Sequence, residues 1–156
     1  SSTILTADRA ALATRTLVTW STPHPKFAGM ELSAVAKKMG LSEAEAATKL
    51  RPAGGIYFMM DEADVQRVLA FEHTMIGSDG LPHDAAPHPR LWGTFARVLG
   101  HYARGLGLFP LETAVYKMTG LTAGKFGLTD RGVLKAGAYA DITLFDAATV
   151  IDARLG

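Results

Sequence analysis

Apolar positions along the chain alternate between short β-patterned runs and longer stretches of helical spacing. Arg15-Thr16-Leu17-Val18-Thr19-Trp20 is β-branched and aromatic and is closed by Ser21-Thr22-Pro23, which predicts a strand ending in a loop. Leu32, Val35, Ala36 and Met39 recur every three to four residues before Gly40, predicting a helix over 31–39. Ser42-Glu43-Ala44-Glu45 has the form of a capping box, in which each side chain satisfies the other's terminal amide, and Arg51-Pro52 closes the helix it opens. Ile56-Tyr57-Phe58-Met59-Met60 is continuously apolar, as a strand covered on both faces of a parallel sheet would be. Asp61 can cap a helix with a buried stripe of Val65, Val68 and Leu69, after which Thr74 to Gly80 predicts a returning strand. Trp92, Phe95, Val98, Leu99 and Tyr102 mark a further helix ending near Gly105, and Leu111, Val115 and Met118 mark another stopped by Gly120. Gly127, Gly132 and Gly137 then punctuate short stretches, and Ala140 to Phe145 predicts a last strand ending at Asp146.

The order predicts an α/β protein: a βα-repeating body to about Phe126, then a small β element. A complete (β/α)₈ barrel needs about 250 residues, so 156 residues suit a portion of a barrel. The ends agree: the chain opens on Ser1-Ser2-Thr3-Ile4-Leu5 without an initiator Met and stops at Leu155-Gly156 without a polar tail, as a piece of a longer chain would. Strand edges and apolar helix faces cut from a barrel predict self-association or a partner fragment. Sixteen Lys and Arg against 15 Asp and Glu lack the basic footprint of a nucleic-acid or anionic-membrane binder. The sequence carries neither a membrane-spanning apolar run nor a secretory leader pattern, and the expected setting is cytoplasmic. Without Cys there is no disulfide, zinc ribbon or thiol nucleophile in this sequence, so a metal must be held by His and carboxylates or by residues outside it.

Three local patterns carry candidate chemistry. Ile76-Gly77-Ser78-Asp79-Gly80 reads as a short strand delivering a carboxylate at its C-terminal end, where barrel enzymes keep catalytic groups, or simply as an Asp-Gly turn. Pro87-His88-Pro89-Arg90 puts an Arg at a helix start, against the helix dipole, which suits either a two-point clamp for a carboxylate or a solvated cation. His83, Asp84 and His88 share one loop and can be metal ligands or surface residues, while His24, His73 and His101 have no evident partner. Tyr57, Met59 and Met60 belong to a core or reach a pocket at the strand end. Pro52-Ala53-Gly54-Gly55 precedes a strand, the wrong context for cradling phosphate.

Taken together, Ile76-Gly77-Ser78-Asp79-Gly80-Leu81-Pro82 and Pro87-His88-Pro89-Arg90-Leu91-Trp92-Gly93-Thr94-Phe95 closely resemble the D-aminoacylase group of N-acyl-D-amino-acid deacylases in the amidohydrolase superfamily. Thr19-Trp20-Ser21, Gly29-Met30-Glu31-Leu32, Met60 to Val65, Lys117 to Leu121 and Gly137 to Asp146 resemble it in the same order, so that the likeness covers essentially the whole chain. The resemblance implies the C-terminal part of a metal-dependent TIM barrel over 1–127, returning to a small β-sandwich domain over 128–156. It implies hydrolysis of an N-acyl-D-amino acid, a small-molecule substrate, with one or two Zn²⁺ ions. Asp79 corresponds to the family's catalytic carboxylate and a weak or secondary metal ligand. Arg90 corresponds to its clamp for the substrate carboxylate, Tyr57 and Met60 to its apolar pocket, and Ser2 (or Ser1) to a substrate-contacting serine. The family's His-x-His pair, further His ligands and Cys do not occur, so the main metal ligands lie outside this chain and the isolated segment is expected to be inactive. Two other readings stay open: an amidohydrolase acting on a cyclic amide, and a non-catalytic remnant or assembly module.

Overall fold

The computed structural model describes residues 3–152. These fall into two compact units: the described residues up to Met60 together with Asp79–Leu91, and Asp61–Ser78 together with the described residues from Trp92 on.

The first unit holds a three-stranded sheet of β1 (Thr3–Ile4), β2 (Arg15–Ser21) and β3 (Ala53–Phe58), in the order β1-β3-β2. Helices α1 (Ala7–Leu12), α2 (Leu32–Met39) and α3 (Glu43–Lys49) complete it. α2 ends as its sequence demands, with Gly40 in the left-handed conformation at φ 66°, which a side chain rarely adopts. The capping box at the start of α3 is fully formed: Ser42 Oγ accepts the Glu45 N–H at 3.3 Å and the Glu45 carboxylate accepts the Ser42 N–H at 2.9 Å. α2 and α3 present Leu32, Val35, Ala36, Ala46 and Ala47 to a core that also contains Leu5, Val18, Leu50 and Ala53. The predicted strand over 15–20 and the two helices that follow it are thus present.

The parallel sheet is not. β3 pairs antiparallel with both neighbours, Thr3 opposite Gly55 and Leu17 opposite Ile56. It also starts and stops earlier than its apolar run suggests, leaving Met59 and Met60 beyond its end and exposed. The physical reason is that Ile56 alone of the 56–60 run is buried, so a continuous apolar string here does not mean two covered faces. Phe58 lies under the Arg15 guanidinium, 4.1 Å from ring centroid to cation, which shields it without sheet-on-helix packing. A bulge at Thr19 breaks the register between Val18 and Trp20, and the Thr19 carbonyl there accepts the Ala86 N–H at 3.0 Å.

The second unit comprises α4 (Glu62–Ala70), α6 (Leu111–Met118), α7 (Gly120–Lys125) and most of a long helix, whose α-helical part α5 (Arg90–Arg97) passes into a π-helical stretch, Val98–Gly105. Asp61 caps α4 by accepting the Ala63 N–H at 2.7 Å. Ile76, Val98, Leu99, Tyr102, Phe109 and Ala114 form the core, with Val65 and Leu69 packed against it. Three expectations need correction here. Val68 is exposed rather than part of a buried stripe, as are Trp92 and Phe95. Gly120 opens α7 instead of ending helical structure. Neither 74–80 nor 140–145 is a strand. In the first case the backbone bonds elsewhere: buried Lys117 donates from Nζ to the Phe71 carbonyl at 2.5 Å and the Thr74 carbonyl at 3.4 Å, and the Lys117 carbonyl accepts the Ile76 N–H at 3.1 Å. Burial pushes the Lys117 ammonium below its ordinary pKa. In the second case a strand requires a neighbour, and among the described residues no backbone hydrogen bond reaches 140–145.

No helix among the described residues is long and apolar enough to cross a membrane.

Candidate functional site

The site is built by one loop and the helix start that follows it, both in the first unit. The loop leaves Ser78, carries Asp79 and Gly80, and returns through Pro87-His88-Pro89 to Arg90, the first residue of α5. Gly80 lets the two ends meet: a Cβ there would lie 2.7 Å from that of Leu91, inside any real contact distance. With Gly80 against Leu91, their neighbours Asp79 and Arg90 also come together. Arg90 donates from Nη2 to Asp79 Oδ2 at 2.7 Å and from Nε to the Asp79 main-chain carbonyl at 3.2 Å. The pair is accessible from solvent, with the Asp79 side chain 64% and the Arg90 side chain 39% exposed, so its ionic attraction is screened and its geometry matters more than its strength.

Asp79 therefore stands on an irregular loop, neither at the tip of a strand nor in a regular turn. It presents a carboxylate to solvent beside a guanidinium. The sequence also left Arg90 as either a clamp or a solvated cation; in the structure its guanidinium grips Asp79 at two points, one donor on the side-chain carboxylate and one on the main-chain carbonyl.

His88 is the residue whose role the sequence did not disclose. Its Nδ1 accepts the Arg90 backbone N–H at 3.0 Å, and its carbonyl accepts the Leu91 N–H at 3.0 Å. The first turn of a helix has N–H groups with no partner inside the helix, and His88 satisfies two of them. Burial pushes the His88 imidazole below its ordinary value of 6.5, while the Asp79 charge opposes that shift. Because the folded state favours the neutral ring, the unfolded state binds more protons between the lowered folded value and 6.5, and stability must fall as pH drops through that window. His88→Asn, whose carbonyl oxygen can still accept the Arg90 N–H, is expected to remove this component. Thermal melts at pH 7.5 and pH 5 should then converge more closely for the variant than for wild type, and an equal pH slope in both would remove His88 as the group responsible.

The other candidates occupy different positions. The Tyr57 hydroxyl accepts the Thr6 N–H at 3.0 Å and donates to the Ile4 carbonyl at 3.0 Å, so its polar end ties β3 to the chain around β1. Met60 lies past the end of β3 with its side chain in solvent. Ser2 lies outside the described residues, as does Ser1. His83 and Asp84 line an open groove of about 430 Å³ with Ile4, Trp20, Leu81 and Ala85. Among the described residues no three His, Asp or Glu side chains gather closely enough to hold a metal ion. A zinc site needs about four ligands, so the side chains described here do not fit zinc by themselves.

Comparison with known proteins identifies the frame in which this loop sits. The model of the amidohydrolase family matches residues 8–154. A D-aminoacylase of Alcaligenes xylosoxydans xylosoxydans is 65% identical over 151 residues, covering 97% of this chain and 31% of its own length. An N-acyl-D-glutamate deacylase of the same organism is 55% identical over 152 residues, again 97% of this chain and 31% of its own length. Among solved structures, an N-acyl-D-glutamate deacylase from Bordetella bronchiseptica, complexed with zinc and a phosphonate inhibitor that mimics the tetrahedral intermediate of the reaction, superposes with a TM-score of 0.90 at 52% identity, over 98% of this chain and 32% of that one. The chain thus spans about a third of the length of these relatives. A family match running through all but a few residues, joined to identities above one half across both units, shows that this chain belongs to the amidohydrolase family.

Proposed function

We propose that this chain is the part of a zinc-dependent N-acyl-D-amino-acid deacylase that supplies its proton-transfer carboxylate, Asp79, and its clamp for the substrate carboxylate, Arg90. The observation that carries the reading is their direct pairing at 2.7 Å on one accessible loop, in a chain whose close relatives are deacylases of this class. In the same reading, residues 1–127 belong to the TIM-barrel portion of the enzyme and 128–156 lead into a small β-sandwich. Tyr57, Met60 and Ser2 border the substrate.

The reaction opens one amide. Asp79 takes a proton from the attacking water as the new C–O bond forms, then passes it to the departing nitrogen as the C–N bond breaks, leaving a carboxylate and a free D-amino acid. Arg90 binds the substrate's α-carboxylate through its planar fork and so fixes the scissile amide relative to Asp79. In the structure that fork donates to Asp79, so a substrate carboxylate would share or displace this contact. Zinc would polarise the amide carbonyl and supply the water, and its ligands would come from parts of the enzyme that this sequence does not contain.

Hydrolysis of N-acetyl-D-amino acids, and not of their L-enantiomers or of cyclic amides, by the full-length enzyme tests the substrate class. Arg90→Lys is expected to raise KM about tenfold or more with a smaller change in kcat, since an ammonium cannot reproduce a two-point fork; an unchanged KM would make Arg90 structural. The 156-residue chain alone is expected to bind no stoichiometric Zn²⁺ in equilibrium dialysis and to turn over no substrate. Tight zinc binding with turnover would overturn the assignment of its ligands elsewhere.

A further inference from the structure

We infer that His88 is the positioning residue of the Arg90 clamp: by accepting the Arg90 backbone N–H on Nδ1 it fixes where the guanidinium begins, and hence where a substrate carboxylate is held. The inference rests on the reading of Arg90 given above and adds a residue to it. Arg90 is the first residue of α5, and its N–H would otherwise have no partner within the helix. The acceptor comes from the side chain of a residue two positions upstream, flanked in sequence by Pro87 and Pro89, whose rings fix their own φ angles and narrow the conformations open to His88. The carbonyl of the same residue holds the next amide, that of Leu91, against which Gly80 packs. One residue therefore connects the helix start, the clamp and the loop that carries Asp79. The ring serves this purpose only with Nδ1 unprotonated, and its half-buried setting favours the neutral form. Truncating it leaves the Arg90 side chain intact while freeing its root.

The test uses the full-length enzyme and two substrates, an N-acyl-D-amino acid and its α-carboxamide counterpart, which lacks the charge that Arg90 recognises. His88→Ala is expected to raise KM for the carboxylate substrate about tenfold, the loss equivalent to one hydrogen bond of about 1.4 kcal/mol, and to leave KM for the carboxamide within about twofold. His88→Asn, which restores an acceptor, should return KM for the carboxylate substrate to within about twofold of wild type. His88→Leu keeps apolar bulk and removes only the acceptor, so the same criterion applies to it if the alanine variant does not fold. A proportional loss on both substrates, or no rescue by Asn, would reduce His88 to a general structural role and overturn the inference. Arg90→Ala is run alongside: if it too fails to discriminate the two substrates, the clamp reading itself falls, whereas discrimination by Arg90→Ala without discrimination by His88→Ala sinks only the role of His88.

Discussion

Replacing Asp79 by asparagine in the full-length enzyme is expected to lower kcat by about 10²- to 10⁴-fold, the range that a positioned proton-transfer group contributes. Asparagine has nearly the same shape and keeps an oxygen that can accept from Arg90 Nη2, so the bond now measured at 2.7 Å need not be lost. It cannot take up a proton from water or return one to an amine. Fold and proton transfer are therefore separable at this position. The side chain is 64% exposed, outside both cores, and its removal as a charge costs the unit little. The decisive comparison is kcat against the melting temperature measured on the same preparation. A collapse of kcat with an unshifted melt assigns the chemistry to Asp79, and near-normal turnover removes it from the mechanism.

The second large effect belongs to stability. Leu32→Ala is expected to destabilise the protein by about 2–5 kcal/mol, the range found when a fully buried leucine is truncated and the cavity only partly collapses. Leu32 has no exposed surface and sits in the first turn of α2, where Val35 and Ala36 are buried one turn further along. Lys38, six residues on and exposed, should tolerate alanine within about half a kcal/mol. Chemical denaturation of the two variants checks both values, and an equal effect at the two positions would deny that α2 is held by its apolar stripe.

These two residues show different degrees of legibility. Leu32 was readable because α2 is specified locally: apolar side chains at helical spacing, a glycine that alone tolerates the left-handed stop, and next to it a capping box whose two halves lie three residues apart. The same holds for Asp61 at the start of α4. Each depends on neighbours close in sequence, and the structure contains each of them. Asp79 was readable as a candidate through the likeness of its Gly-Ser-Asp-Gly stretch to a known family, but not through geometry, since the strand expected to deliver it does not form.

The tertiary structure decided what local pattern cannot express. Apolar runs report that backbone will be buried somewhere, not which neighbour it pairs with or in which direction, so Ile56 to Met60 suggested a parallel strand while β3 lies antiparallel between β1 and β2. Segments 74–80 and 140–145 carry strand-like residues, yet the first gives its Thr74 carbonyl and its Ile76 N–H to a buried lysine more than forty residues away and the second meets no neighbouring strand among the described residues. The Asp79–Arg90 pair and the His88 acceptor beneath it arise in the same way. A hydrogen bond forms where the folded chain brings donor and acceptor within reach, and the sequence names the groups without fixing the distance between them.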